Sequence, residues 1–254
     1  MSTTVNQTAA RKVDGLRRRI GFWLRNDASR LLWPGRCLAC GEDTGEAIDL
    51  CPDCLDGLPW LGPACVRCAL PLPAPQPPGI DACGACLATQ PPLDRVHAAC
   101  LYAAPVDRLL PRFKFHRDLA AGRLLAQLMT ERCAALARPG ALVPVPLHRA
   151  RLRQRGYDQA LELARPLARA LRVPLRPELL QRVRATAPQS ELDRPARSRN
   201  LRGAFQAAPG PGLPSHVVLV DDVMTTGATL HAAARALRRA GVQRVEAWVC
   251  ARAP

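Results

Sequence analysis

The chain has 254 residues, 48% of them hydrophobic, which is enough for one ordinary α/β domain with a packed core and a small appendage. No apolar run approaches the ~18–20 residues that span a bilayer. The N-terminus carries no apolar segment ahead of a small-residue cleavage site, so a soluble, cytoplasmic protein is expected. The net charge of +15 rests almost wholly on Arg, Lys12 and Lys114 being the two lysines. A GC-rich coding bias accounts for Arg in place of Lys, but not for the excess of basic over acidic residues.

Residues 1–36 read as a basic extension. Leu16, Ile20, Leu24, Leu31 and Leu32 recur at roughly helical spacing, with Arg17, Arg18, Arg19 and Arg25 between them. Such a segment suits a membrane surface or nucleic acid, or a helix packed on its own domain; the last is the simpler expectation.

Residues 37–95 form a cysteine-rich module. Four CxxC pairs occur, at Cys37/Cys40, Cys51/Cys54, Cys65/Cys68 and Cys83/Cys86. Each pair can grip a metal from one tight turn, and two turns complete a tetrahedral site, so eight thiolates make two Zn²⁺ sites. Four thiolates close the coordination sphere, which makes these zincs structural rather than catalytic. Sequential pairing is the simplest arrangement, and an interleaved one stays open. Cys100, Cys133 and Cys250 stand outside the pattern in apolar surroundings and read as buried thiols. The stretch 37–99 holds two Arg against eight acidic residues, which argues against its being a nucleic-acid surface. A proline-rich loop over 71–79 punctuates it.

Residues 96–254 form the second domain. The pattern predicts a strand over 96–102, helices over 107–115 and 119–136, a buried strand over 141–146 and a helix over 158–171. A polar, Arg-rich stretch of loop and short helix follows over 182–205, then a turn over 209–214. A fully apolar strand over 217–220, a polar loop, a helix over 228–240 and a strand over 245–250 make a βαβ unit, which needs a parallel sheet. Gly241 is placed to cap that helix in the left-handed conformation. Residues 147–202 carry fourteen Arg against five acidic residues. Such an excess fits an anionic partner such as a phosphate ester or nucleic acid, or a solvated face.

The chemistry is concentrated after residue 220. A buried strand ends at two carboxylates, Asp221 and Asp222. Thr225, Thr226, Gly227, Ala228 and Thr229 then lead straight into a helix. A loop of this kind aims several backbone N–H groups at one point, where the helix N-terminus adds partial positive charge. A phosphomonoester fits that cradle, with the threonine hydroxyls donating and Gly227 permitting close approach. The carboxylates can accept from vicinal ribose hydroxyls and draw in Mg²⁺ through water. The loop resembles the signature of type I phosphoribosyltransferases, which bind phosphoribosyl pyrophosphate (PRPP).

Further motifs extend that resemblance. They are Arg112, Phe113, Lys114 and Phe115; the run from Val143 through Pro144, Val145 and Pro146 to Arg151, Arg155, Gly156 and Gln159; Thr186 to Gln189; and Arg197 to Asn200 followed by Phe205. Together with the cysteine-rich start they resemble the ComF family of competence-associated proteins over about residues 35–252. Tyr157 and Asp158 depart from the family's usual Phe-Asn, and the added charge of Asp158 speaks against a ligand role there. The resemblance implies a type I phosphoribosyltransferase-like parallel sheet flanked by helices, preceded by a double zinc-ribbon-like module. It also implies a role in DNA uptake during natural transformation, with competence-machinery proteins as partners. By the same analogy Asp221 and Asp222 hold the ribose, Thr225 to Thr229 the 5′-phosphate, and Arg151, Arg155 and Gly156, with Mg²⁺, the pyrophosphate. The expected activity is transfer of phosphoribose to an unknown acceptor. The competing readings are a non-catalytic PRPP sensor and a single-stranded-DNA-binding competence factor. The few aromatic residues, scarce near the Arg cluster in the sequence, argue against a base-stacking platform. No segment reads as an acceptor hood, although residues 100–135 are available to form one.

Overall fold

The computed structural model describes residues 35–44, 48–73, 81–184, 201, 203–208 and 212–254. The basic segment before residue 35, most of the proline-rich loop, the motifs at 186–189 and 197–200 and the start of the turn at 209 lie outside the described residues. The chain divides into two compact units, 1–58 and 59–254.

In the first unit, Arg36 and Asp43 bridge the strands of a tight knuckle. The Cys37 N–H bonds to the Glu42 carbonyl, and the Gly41 N–H bonds back to the Cys37 carbonyl. Gly41 has φ +84°, a left-handed turn that glycine adopts without steric penalty. The second pair of cysteines opens the short helix α1 (Pro52–Asp56), where Pro52 sits at the first turn and lacks only an N–H that would have had no helical partner.

The second unit opens with a copy of that design. Ala64 and Pro71 bridge, Cys65 N–H bonds to the Leu70 carbonyl and Ala69 N–H to the Cys65 carbonyl. Ala69 takes the left-handed place that Gly41 fills above, at φ +54°. Cys83 then caps the short helix α2 (Gly84–Thr89). The repeated unit is therefore a knuckle plus a helical turn.

The elements that follow are β1 (Val96–Leu101), α3 (Val106–Phe115), α4 (Leu119–Cys133), β2 (Ala141–Pro144), α5 (Arg149–Arg155), α6 (Gln159–Leu171), β3 (Leu180–Arg182), β4 (Phe205–Ala207), β5 (His216–Met224), α7 (Ala228–Arg239) and β6 (Arg244–Arg252). Four strands form one parallel sheet in the order β1-β6-β5-β2, while β3 and β4 make a separate antiparallel pair. Val217, Val218, Leu219 and Val220 are fully buried, as the apolar run in a central parallel strand requires. Helix α7 shares a core with Val217, Leu219, Val245, Ala247 and Val249, and α4 and α6 pack on each other and on the sheet. Gly241 has φ +105° after α7, as its place past the helix end led one to expect.

Two differences bear on the site. The strand expected to stop at Val220 runs on to Met224, because β6 continues alongside it and pairs Asp221 with Val249 and Val223 with Ala251. The Arg-rich segment after β2, read from the sequence as a loop, folds into α5, which ends where Gly156 turns left-handed at φ +85°.

Candidate functional site

The C-terminal ends of all four parallel strands open onto one cleft of about 830 Å³, lined by Tyr102 after β1, Val145 and Pro146 after β2, Asp221 to Val223 in β5, and Ala253 after β6. Ligands of open α/β sheets bind in this position. The structure gathers Asp221, Asp222, Thr225, Thr229, Arg151 and Arg155 around this cleft. Thr226, Gly227, Ala228 and Gly156 do not line it; they build the turns that carry the residues that do.

Asp222 is buried, and its Oδ2 lies 2.7 Å from Lys114 Nζ, which reaches over from α3. Asp221 Oδ1 accepts the Asp222 N–H at 2.9 Å, and Asp222 Oδ1 accepts the Val223 N–H at 2.7 Å. Burial, and then the neighbouring Asp222 carboxylate, push the Asp221 carboxyl up to about 7, against the pull of Lys114. The pair thus holds more negative charge than its one lysine balances, which suits it to accept hydroxyl donors or a hydrated cation.

Gly227 caps α7 at φ +76°. A Cβ there would come within 2.5 Å of Met224 Cε and 3.1 Å of the His231 ring, so both backbone conformation and packing require glycine. Ala228 N–H points to Thr226 Oγ1 at 3.5 Å. Helix α7 is twelve residues long, and its N-terminus delivers its partial charge at Thr225 to Thr229.

On the opposite wall, α5 presents Arg151 and Arg155. Arg155 Nη1 bonds to Gln159 Oε1 at 2.9 Å, and its guanidinium lies 5.3 Å from the centroid of the Phe115 ring. Burial lowers the Arg155 pKa below its ordinary value, while Asp222 raises it. Asp158 also borders the cleft, but both of its oxygens are engaged by backbone N–H groups. Its Oδ1 caps α6 through Leu161 N–H at 3.1 Å, and its Oδ2 takes Leu147 N–H at 3.0 Å. The departure from the family's Asn therefore falls on a residue that ties the β2 loop to α6. Burial raises its pKa.

Sequence reasoning missed Arg117 and Arg182, which also line the cleft. Arg117 follows α3 in a left-handed turn at φ +56°, and Arg182 belongs to the β3–β4 pair, over the Phe205 ring at 5.3 Å. No local pattern marks either one, since only the turn after α3 and the strand pairing bring them in.

The eight cysteines gather into two clusters, Cys37/Cys40/Cys51/Cys54 and Cys65/Cys68/Cys83/Cys86, with the sulfurs of each within 4.8 Å of one another. The pairing is sequential, one site in each compact unit. Cys40 and Cys51 Sγ lie 3.7 Å apart, as do Cys68 and Cys83 Sγ. A tetrahedral site with Zn–S bonds of ~2.3 Å places its sulfurs at about that spacing. Burial pushes the Cys37 thiol up, but backbone N–H groups of Cys51, Cys40 and Ala39 outweigh it and bring it down to about 6. Cys65 is brought to about 7 in the same way, with Cys83 N–H donating to its sulfur at 3.2 Å. Both donor sets fit zinc. Cys100, Cys133 and Cys250 are buried free thiols. No helix among the described residues is long and apolar enough to cross a membrane.

Comparison with known proteins agrees with this geometry. The double zinc ribbon domain model matches residues 28–88, and the phosphoribosyl transferase domain model matches residues 158–254. The DNA utilization protein YhgH of Salmonella typhimurium is 37% identical over 237 residues, covering 91% of this chain and 96% of that protein. Competence protein F of Haemophilus influenzae is 37% identical over 179 residues, covering 67% of this chain and 78% of its own. Competence protein ComFC of Bacillus subtilis is 33% identical over 100 residues, 39% of each chain. With a double zinc ribbon ahead of a phosphoribosyltransferase-type sheet, and relatives that match almost end to end, the chain belongs to the ComF family.

Proposed function

We propose that the cleft binds PRPP and that the protein transfers its phosphoribosyl group to an acceptor. One observation carries this reading: the carboxylate pair, the helix-capping threonine loop and the two α5 arginines converge on one cleft at the C-terminal ends of the parallel strands. Asp221 and Asp222 accept from the ribose hydroxyls. Thr225 and Thr229, with the backbone N–H groups that Gly227 exposes, cradle the 5′-phosphate. Arg151 and Arg155 hold the pyrophosphate with forked guanidinium groups, and stabilise the charge that builds on it as it leaves. Mg²⁺, bound with PRPP through water to the carboxylates, would supply further charge neutralisation. Similarity to competence protein F and DNA utilization protein YhgH supports a role for this activity in the uptake and use of DNA.

Calorimetry with PRPP and Mg²⁺ tests the reading. The wild-type protein is expected to bind, and an Asp221→Asn/Asp222→Asn variant to lose at least tenfold in affinity. No binding by folded, zinc-loaded wild-type protein would reduce the loop to an inherited scaffold.

A second reading, single-stranded DNA binding, draws on α5, which exposes Arg149 and Arg153 while Arg151 and Arg155 line the cleft. Its signature is an affinity that falls steeply with salt, with a slope that Arg149→Ala/Arg153→Ala flattens. A wild-type affinity indifferent to salt would remove it.

A further inference from the structure

Lys114 and Arg155 are both cations at the cleft, and they are held in opposite ways. Lys114 is neutralised, its amine lying 2.7 Å from the Asp222 carboxylate. Arg155 makes no ion pair among the described residues. Its side-chain partners are the neutral Gln159 carbonyl, 2.9 Å from Nη1, and the Phe115 ring. A carboxylate in place of that amide would grip the guanidinium harder but cancel its charge. An amide fixes the direction of the group and leaves its charge for a ligand. Gln159 is itself set firmly. It is the first residue of α6 and is 2% exposed. Asp158, just before it, caps α6 and ties down the β2 loop. Arg155 and Gln159 are four residues apart but do not share a helix. The left-handed Gly156 ends α5, and the turn that follows brings the last residue of α5 onto the first of α6. The other half of the amide adds no stability. Gln159 Nε2 is buried with no hydrogen-bond partner among the described residues, which costs free energy. Methionine would fill an irregular core space of this kind without that cost. The glutamine is therefore explained by what its carbonyl does.

We propose that Gln159 is a positioning residue, which aims Arg155 into the cleft and leaves the guanidinium its full charge for the pyrophosphate group. This rests on the phosphoribosyl reading above, and adds to it the residue that readies one wall of the cleft before a ligand arrives. Gln159 acts through Arg155 and takes no part in the chemistry itself. Its effect on affinity therefore exists only while Arg155 is present, whereas a residue that merely held the fold would act with or without it.

The experiment is calorimetric titration of the zinc-loaded full chain with PRPP and, separately, with inorganic pyrophosphate, both with Mg²⁺. The proteins are wild type, Gln159→Met, Gln159→Glu, Arg155→Ala and the double variant Gln159→Met/Arg155→Ala. Gln159→Met is expected to weaken both ligands about 2- to 10-fold, the range for one lost hydrogen bond, while its urea unfolding midpoint stays at or above that of wild type. Gln159→Glu keeps the acceptor but sets a negative charge on Arg155, and is expected to weaken both ligands by about tenfold or more. In the Arg155→Ala background, Gln159→Met is expected to change affinity by less than about twofold. An equal loss from Gln159→Met with and without Arg155, or a Gln159→Glu variant that binds as wild type does, overturns the proposal and leaves the phosphoribosyl reading standing. A Gln159→Met midpoint below wild type overturns it too, since the amide would then be holding the fold. The expected pattern with pyrophosphate in a protein that does not bind PRPP overturns the phosphoribosyl reading and leaves the role of Gln159. A wild type that binds neither ligand overturns both.

Discussion

Asp221 and Lys114 show how a proposed binding group is held against its own preference. Burial and the adjacent Asp222 raise the Asp221 carboxyl to about 7, above the ~3.9 of an unfolded chain. The folded state therefore binds the proton more tightly. That contribution to stability is complete below pH ~4 and is lost as the pH rises through about 7. Asp221→Asn, neutral at every pH, is expected to raise Tm at pH 8 by ~2–4 °C, the shift for about 1 kcal/mol in a chain of this size, while leaving Tm at pH 4 nearly unchanged. The same variant should weaken PRPP. A wild-type Tm above that of the variant at pH 8 would show that the carboxylate is not strained. Lys114→Met removes the partner of a carboxylate that is 8% exposed, and should cost about 1–3 kcal/mol of stability, read from urea unfolding midpoints at constant slope. The scarcity of lysine in the sequence drew attention to Lys114 but could not name its partner, because 108 positions separate it from Asp222 and only the packing of α3 joins them.

At the level of elements, the turn proposed to hold the phosphate depends on what lies under it. Gly227→Ala meets both an unfavourable φ and Met224, and should destabilise by about 1–3 kcal/mol and abolish PRPP binding together. Asp158→Ala should cost about 1–2 kcal/mol through the lost helix cap. It should also raise the Kd for PRPP without removing any ligand contact, since Leu147 N–H would no longer be tied to α6. An unchanged Kd would show that the β2 loop is held by other means. The apolar run, the glycine after it and the proline-ended strand made β5, α7 and β2 readable. The helix α5 was not, because its four arginines carry no apolar periodicity, and it takes shape through caps at His148 and Gly156.

For the whole molecule, the two zinc-type clusters are expected to differ in consequence. The first lies within residues 1–58, the second within 59–254. The second is bound into the sheet. Val66 bonds both Asp81 and Val96, and the buried Arg252 donates from Nε to the Cys68 carbonyl at 2.7 Å and from Nη1 to the Met224 carbonyl at 3.0 Å. Met224 is the residue before Thr225, so the knuckle supports the Thr225–Thr229 turn through one side chain. Two zincs per chain should be measured by atomic absorption. Cys65→Ser should lower the Tm of the phosphoribosyl unit and weaken PRPP binding, whereas Cys37→Ser should release one zinc and leave PRPP binding within about twofold. Equal effects of the two would refute the distinction.

By itself the sequence determined the cysteine ligand pairs, the parallel βαβ unit and the Thr225–Thr229 turn, because each depends on residues close together in the chain: two thiols in a tight turn, an apolar strand, a glycine at a positive φ. The tertiary structure alone decided the sequential pairing of the cysteines. It alone drew Arg117, Arg182, Tyr102 and Phe115 into the cleft, set Lys114 on Asp222, and made Asp158 a brace between the β2 loop and α6. These contacts join segments that meet only when α3, α5 and the β3–β4 pair pack around the strand ends, and nothing in the spacing of residues along a chain encodes which side chains will share a cavity.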